Sequence, residues 1–146
     1  MIHLHDVKQV HPDVAESITY QLLMERPEEA NISHDKLPTL KEHAHYLHHH
    51  PHRVWLLIAD DDAEYLGAIL LTTRNEIGIA ILLEHQRKGY ARQAIEKVMF
   101  QFPPLPAVNS VRTGHYVANI NPANQASIAL FQKLGFTHIQ NTYRAP

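Results

Sequence analysis

Residues 2–7 alternate weakly between apolar and polar positions, which predicts a short strand. Pro12 then suits the first turn of a helix. Val14, Ile18 and Leu22 recur every four residues and give that helix one apolar face. The helix is expected to stop near Arg26, because Pro27 disfavours helical backbone in the residue before it. After a polar loop, Thr39 and Glu42 form a capping box. Leu40, Ala44 and Leu47 share a face of a second helix that ends before Pro51.

The period then shortens. Val54–Ala59 is a continuous apolar run, as in a strand buried on both sides. Asp60-Asp61-Asp62 supplies a turn into a strand at Tyr65–Thr72. Thr73-Arg74-Asn75 supplies another, into a strand at Glu76–Leu83. Connections this short imply antiparallel neighbours. From Gly89 onward, Ala91, Ala94, Ile95, Val98, Met99 and Phe102 trace the cleanest helical period in the chain, stopped by Pro103-Pro104. Val111–Ala118 alternates as a further strand. Asn121-Pro122 reads as the cap and first turn of a last helix, with Ile128, Phe131 and Leu134 on one side. Gly135 suits the left-handed residue that ends it, with Phe136 packing back. A final strand is expected over Phe136–Tyr143. The order β-α-α-β-β-β-α-β-α-β is that of an α+β or α/β domain with one mixed sheet.

Composition narrows the function classes. The chain has 146 residues with no linker or repeat, so 1–146 is expected to be one domain. With no cysteine, disulfides, thiolate catalysis and iron–sulfur clusters are excluded. A net charge of −2 gives no sign of nucleic acid or an acidic membrane as partner. The N-terminal residues lack a basic-then-apolar leader. No apolar run approaches the about 20 residues needed to span a bilayer. A cytoplasmic protein is the expectation.

The segment Glu84-His85-Gln86-Arg87-Lys88-Gly89-Tyr90-Ala91 joins a strand to a helix start. Backbone N–H groups at a helix start lack partners within the helix, and the dipole there favours an anion. Gly89 permits close approach, and Gln86, Arg87 and Lys88 stand where side chains reach phosphate. Gln86-x-x-Gly89-x-Ala91 resembles the Q/R-x-x-G-x-G/A signature of the GNAT superfamily of acyl-CoA-dependent N-acetyltransferases. Further on, Asn124-x-x-Ser127-x-x-Leu130-Phe131-x-Lys133-x-Gly135-Phe136 is similar to the second half of that family's pattern. The motifs fall in the family's order over about residues 76–137.

The resemblance implies a GNAT-like single domain, a mixed central sheet with two splayed parallel strands, Glu76–Leu83 and Val111–Ala118, flanked by about four helices. It implies acetyl-CoA as cosubstrate. The pantetheine arm would pair with the backbone of Ile79 and Ile81. The pyrophosphate would rest on Gln86, Arg87, Lys88, Gly89, Tyr90 and Ala91. Asn119, Asn124, Ser127 and Phe131 are the remaining cofactor-side positions. Lys133 reads instead as a solvated charge at a helix C-terminus.

Acetyl transfer requires a neutral amine, a stabilised oxyanion and a departing thiolate. Backbone N–H groups near Ile81 and Leu82 are candidates for the oxyanion. An alkylammonium has a pKa near about 10.4, so a base is useful at neutral pH. Glu76 is the first candidate, since it opens the strand that carries a catalytic carboxylate in many relatives. Glu84 matches an acidic position near the turn and reads as structural. His115 and Tyr116 lie on the second strand, where only one of the two points into the gap. Relatives commonly place tyrosine at Phe131 to protonate the leaving thiolate, and Tyr116 and Tyr143 are the candidate substitutes. A thiol of pKa about 8.5 also leaves fairly without help.

The expected reaction moves the acetyl group to a primary amine, of a small molecule such as an amino sugar or of a peptide N-terminus, by direct attack without an acyl-enzyme. The other reading, kept open by Phe131, is an acyl-CoA-binding regulatory or scaffold protein without turnover. The acceptor side would lie along Met24–Leu37, where Glu25, Arg26, Glu28, Glu29, Asn31, Ser33 and His34 offer polar contacts. Either a monomer or a homodimer is compatible with the sequence. His43, His45, His48, His49, His50 and His52 cluster at the end of the second helix. His45 and His49 have the spacing of two metal ligands, but nothing specifies a third, so the stretch reads as a solvated helix end and no metal is assigned.

Overall fold

The computed structural model describes residues 1–27 and 36–146. Its elements are β1 (His3–Asp6), α1 (Pro12–Glu25), α2 (Leu40–His49), β2 (Val54–Ala59), β3 (Tyr65–Leu71), β4 (Ile77–Ile81), α3 (Tyr90–Gln101) and α4 (Gln125–Lys133). Short 3-10 turns follow β1 and β4, at Val7–Gln9 and Leu83–His85. The four strands form one antiparallel sheet in chain order, with His3 opposite Ala59, Val54 opposite Leu71 and Gly67 opposite Ile81.

Strand alternation divides the core into two layers. Leu56, Ile58, Ile69, Leu71 and Ile77 face one side, with Ala94, Ile95 and Val98 of α3 and Phe131 of α4. Leu57, Ala68 and Leu82 face the other, with Ala15 and Leu22 of α1 and Leu47 of α2. The sheet is therefore sandwiched between helix pairs. The ladder steps from Ile58–Gly67 to Ala59–Tyr65, which leaves Leu66 as an extra residue and turns it onto the α3 side.

Local chemistry explains most of the ends. Thr39 Oγ1 accepts from Glu42 N–H, and Glu42 Oε1 accepts from Thr39 N–H, so the capping box forms as expected. Gly135 is left-handed at φ 90°. Phe136 N–H reaches Phe131 C=O and Gly135 N–H reaches Gln132 C=O, both at 3.0 Å, which closes a Schellman motif. The Phe131 and Phe136 rings meet edge-on at 5.0 Å.

Several expectations are corrected. The buried face of α1 is Ala15, Thr19 and Leu22, one residue on from Val14, which is 38% exposed. On α2, His43 and Leu47 are buried while Leu40 is exposed. The cap of α4 is Asn124, not Asn121. Asn121 Oδ1 instead accepts from Ala123 N–H, which spends Pro122 in a turn before the helix. Val111–Ala118 is not a continuous strand: it contributes one antiparallel bridge, Val108 to Arg112, and one parallel bridge, Glu76 to Val117. Side chains take two of its carbonyls, as Asn75 Nδ2 donates to Thr113 C=O and Thr113 Oγ1 to His115 C=O. The Arg112 side chain likewise bonds Pro106 and Thr73 carbonyls, which holds the segment without a ladder. Phe136–Tyr143 forms no strand, and Ile139 and Tyr143 stand exposed.

The histidine stretch is partly core. His43 is 3% exposed, and its Nε2 lies 2.6 Å from Thr19 Oγ1. Since the Thr19 hydroxyl donates to Ala15 C=O, Nε2 is the donor of this pair. His52 packs edge-on against Trp55 at 5.1 Å and stacks on His50 at 4.3 Å. Both of its ring nitrogens are buried without a hydrogen-bond partner among the described residues. Burial, helped by His50, holds its pKa down at about 4, and burial also lowers that of His43. A histidine whose folded pKa is depressed stays neutral while the unfolded chain takes up a proton below about 6.5. Stability is therefore expected to be full above that pH and to fall as pH drops from about 6.5 toward 4. Urea midpoints at pH 7.5, 6 and 5 should decline, and His52→Phe should flatten the decline. An equal slope in the variant would show that other groups set it.

Candidate functional site

The site begins at an edge. β4 pairs with β3 through every second peptide group: Thr72 N–H reaches Glu76 C=O at 3.0 Å, and Leu82 N–H reaches Leu66 C=O at 2.9 Å. The intervening groups, at Ile77, Ile79 and Ile81, turn outward by the two-residue period of a strand. Ile77 N–H is met by Val117 C=O at 2.8 Å, and Val117 N–H by Asn75 C=O at 2.9 Å. Beyond that single bridge, no strand pairs with the outer edge of β4 among the described residues. The peptide groups of Ile79 and the N–H of Ile81 thus face a slot that another extended group can fill. Leu82 N–H, expected near the oxyanion, is instead spent on β3.

The slot leads into the turn before α3. Glu25 Oε1, from the end of α1, accepts from Leu83 N–H at 2.8 Å and fixes the 3-10 turn. Gln86 Nε2 donates to Ile81 C=O at 2.9 Å, closing the far end of β4. Arg87 and Gly89 both adopt left-handed backbone, at φ 63° and 83°. Gly89 is the N-cap of α3 and has no side chain with which to cap it. The first-turn N–H groups of α3 have no carbonyl within the helix, and the positive end of its dipole lies here. Gln86, Arg87, Lys88 and Gly89 are exposed around this point, while Tyr90 and Ala91 are half-buried as the first residues of α3. The arrangement suits a diphosphate anion.

At the vertex between β4 and Val117, Glu76 is half-buried. Its Oε1 accepts from Thr72 Oγ1 at 3.0 Å, and its Oε2 accepts from Asn119 Nδ2 at 2.6 Å. Each carboxylate oxygen keeps a further lone pair for a proton or a water. Asn119 therefore orients Glu76 and lies at the vertex, away from the turn. Asn124 Oδ1 caps α4 by accepting from Ser127 N–H at 3.2 Å. Phe131 is 4% exposed and sits in the core layer under α3. The Tyr116 hydroxyl donates to the C-terminal carbonyls of α3, at Met99 (2.8 Å) and Phe102. Burial raises its pKa, with Arg53 opposing. His115 is exposed, so Tyr116 is the residue turned inward.

The structure thus joins Ile79, Ile81 and residues 86–91 in one continuous surface and places Glu76 with Asn119 at its head. Asn124 and Ser127 are engaged with each other at the start of α4. Sequence reasoning missed Asn75, which is fully buried and left-handed at φ 64°. Its signal was present, since asparagine tolerates that backbone best after glycine. Of the acceptor-side residues, 28–35 lie outside those described, and Glu25 is committed to Leu83 and Gln21. No helix of the described residues is long and apolar enough to cross a membrane.

The Acetyltransferase (GNAT) domain family matches residues 7–137. No curated protein sequence matches the chain significantly. Among solved structures, a domain from Methanocaldococcus jannaschii DSM 2661 superposes with a TM-score of 0.70 at 18% identity, covering 97% of this chain and 92% of that one. The dodecameric spermidine N-acetyltransferase of Vibrio cholerae gives 0.66 at 16% identity, covering 95% and 81%. Salmonella typhimurium yncA, solved with its cofactor acetyl-CoA, gives 0.61 at 19% identity, covering 94% and 79%. At these identities the structural likeness speaks for the fold.

Proposed function

This chain belongs to the GNAT acetyltransferase family, whose members use acetyl-CoA, and from that premise we propose that it acetylates a primary amine by direct attack. The observation that carries the reading is the open outer edge of β4 running into the uncapped start of α3 at Gly89. Ile79 and Ile81 would hold the pantetheine amides, and the turn from Gln86 to Ala91 the pyrophosphate. Bound there, acetyl-CoA supplies an activated acetyl thioester. Ile79 N–H, the open-edge donor nearer to Glu76, is available to the developing oxyanion, which leaves Ile79 C=O and Ile81 N–H for the pantetheine. Glu76, oriented by Thr72 and Asn119, is the group that takes the ammonium proton, directly or through water. The amine nitrogen bonds to the acetyl carbon as the carbon–sulfur bond breaks, and the coenzyme leaves as thiolate.

The acceptor is a small-molecule amine or a peptide N-terminus. Amino sugars remain in view, and the fold shared with a spermidine N-acetyltransferase adds polyamines to the compounds worth testing. Thiol release from acetyl-CoA against amino sugars, N-terminal peptides, polyamines and amino acids, with product mass, tests the proposal. The second reading, binding without turnover, is favoured by one observation: Phe131 is buried against Phe136 and offers no hydroxyl. Acetyl-CoA binding with no thiol release from any amine would support it.

Glu76→Gln keeps a side-chain acceptor for Asn119 but removes the base. Turnover at pH 7 is expected to fall about a hundredfold, with acetyl-CoA affinity unchanged. The deficit should shrink toward pH 10, where the amine is already neutral. An unchanged pH–rate profile would remove Glu76 as the base.

A further inference from the structure

Outside the slot, three ligating side chains converge where the head of β3 meets the turn after β4. Glu64, Glu84 and His85 bring one donor atom each to within 4.8 Å of one another. His85 is 9% exposed, and its Nε2 is buried with no hydrogen-bond partner among the described residues. That nitrogen faces Glu64 Oε1 at 3.4 Å and Glu84 Oε1 at 3.5 Å. A charge-assisted hydrogen bond would be shorter, about 2.7–2.9 Å. Two donors bound to one zinc ion at about 2.0–2.1 Å, at a tetrahedral angle, stand about 3.3 Å apart. The two nitrogen–oxygen spacings are those of ligands around a common centre rather than of partners touching each other, and the two exposed carboxylates, whose oxygens lie within 4.8 Å of each other, can close on an ion by side-chain rotation.

We propose that Glu64, Glu84 and His85 form a divalent cation site of the zinc class. Neutral imidazole and two carboxylates balance the charge of such an ion, and three protein ligands leave a fourth position for water. The frame for it exists already. Glu64 N–H bonds Asp60 Oδ1, and Glu64 C=O accepts from Asp60 N–H, both at 2.9 Å. Glu84 and His85 sit in the 3-10 turn that Glu25 fixes through Leu83. Both carboxylates are exposed, which gives an ion a path to the buried nitrogen. A bound ion ties the head of β3 to the turn that begins at Gln86.

The test is calorimetric titration of the tag-free full chain with zinc chloride. Its comparisons are Glu64→Gln/Glu84→Gln, which alters only exposed side chains, and His45→Ala/His49→Ala. The latter removes the surface pair whose rings lie 4.5 Å apart on α2. One equivalent of zinc is expected to bind, with affinity weakened at least tenfold in the double glutamine variant and retained in the double alanine variant. No zinc binding by the native chain, an unchanged affinity in the glutamine variant, or loss in the alanine variant alone would overturn the site.

Discussion

Gly89→Glu is expected to weaken acetyl-CoA binding at least a hundredfold while leaving the fold in place. Space is not the obstacle: the nearest heavy atom to an added Cβ is Gln93 Nε2 at 3.9 Å. Backbone and charge are. At φ 83° a side chain costs about 1–2 kcal/mol in the left-handed region, which the turn can relieve only by changing shape. The new carboxylate would also stand at the positive end of α3, where the pyrophosphate should lie. Two like charges about 4 Å apart repel by about 1 kcal/mol in water and about 4 kcal/mol at the effective dielectric near a protein surface. With the surface value, which applies at this turn, the sum is about 5–6 kcal/mol, above the roughly 2.8 kcal/mol that corresponds to a hundredfold. Gly89→Asn separates the causes, since asparagine tolerates left-handed backbone and carries no charge. It should bind within about tenfold of the native chain, because 1.4 kcal/mol is tenfold. Calorimetry at two ionic strengths checks both, and added salt should narrow the difference. Equal affinities in the two variants would remove the pyrophosphate from this turn.

What the sequence told and what it withheld divide along the range of the interactions. The α3 period, the Thr39–Glu42 box, the Gly135 end and the antiparallel run of β2, β3 and β4 all rest on near neighbours, and all four stand in the structure. The same is true of the turn before α3, whose left-handed glycine is a local requirement. The misplaced features depend on partners far along the chain. The buried face of α1 contains Ala15 and Thr19 because Thr19 meets His43, twenty-four positions later. Alternation over Val111–Ala118 is real, and Tyr116 and Ala118 do pack on the core. Yet side chains of Asn75 and Thr113 take carbonyls that a strand would need, and Arg112 anchors the segment to Thr73 C=O instead. Tyr116 looked like a catalytic phenol from its position, but its hydroxyl closes the carbonyl end of α3. Similarly, Glu64 meets Glu84 and His85 only because β3 and β4 are neighbours, and no spacing along the chain announces that.

The largest loss of stability is expected from Asn75→Leu. Asn75 is completely buried, and its amide serves three backbone groups: Nδ2 donates to Leu105 C=O at 2.9 Å and Thr113 C=O at 2.8 Å, and Oδ1 accepts from Leu105 N–H at 2.8 Å. Leucine has nearly the same shape and answers none of them. A buried polar group left without its partner costs about 1–3 kcal/mol. Access of water to the carbonyls lowers the sum, so about 3–5 kcal/mol is expected, with the left-handed backbone at φ 64° adding strain. Against a typical stability of about 5–15 kcal/mol, that moves the urea midpoint far or unfolds the chain. Asn75→Gly relieves the strain and loses the same bonds, so it should retain more fold and reveal the functional part. Asn75 pins the segment that carries Val117 and Asn119, and Asn119 orients Glu76. In the glycine variant, turnover should therefore fall further than acetyl-CoA affinity, because the turn at Gly89 is built from other contacts. A change in stability below about 1 kcal/mol for Asn75→Leu, within the spread of an ordinary substitution, would mean that the 105–117 segment is held by something other than this amide.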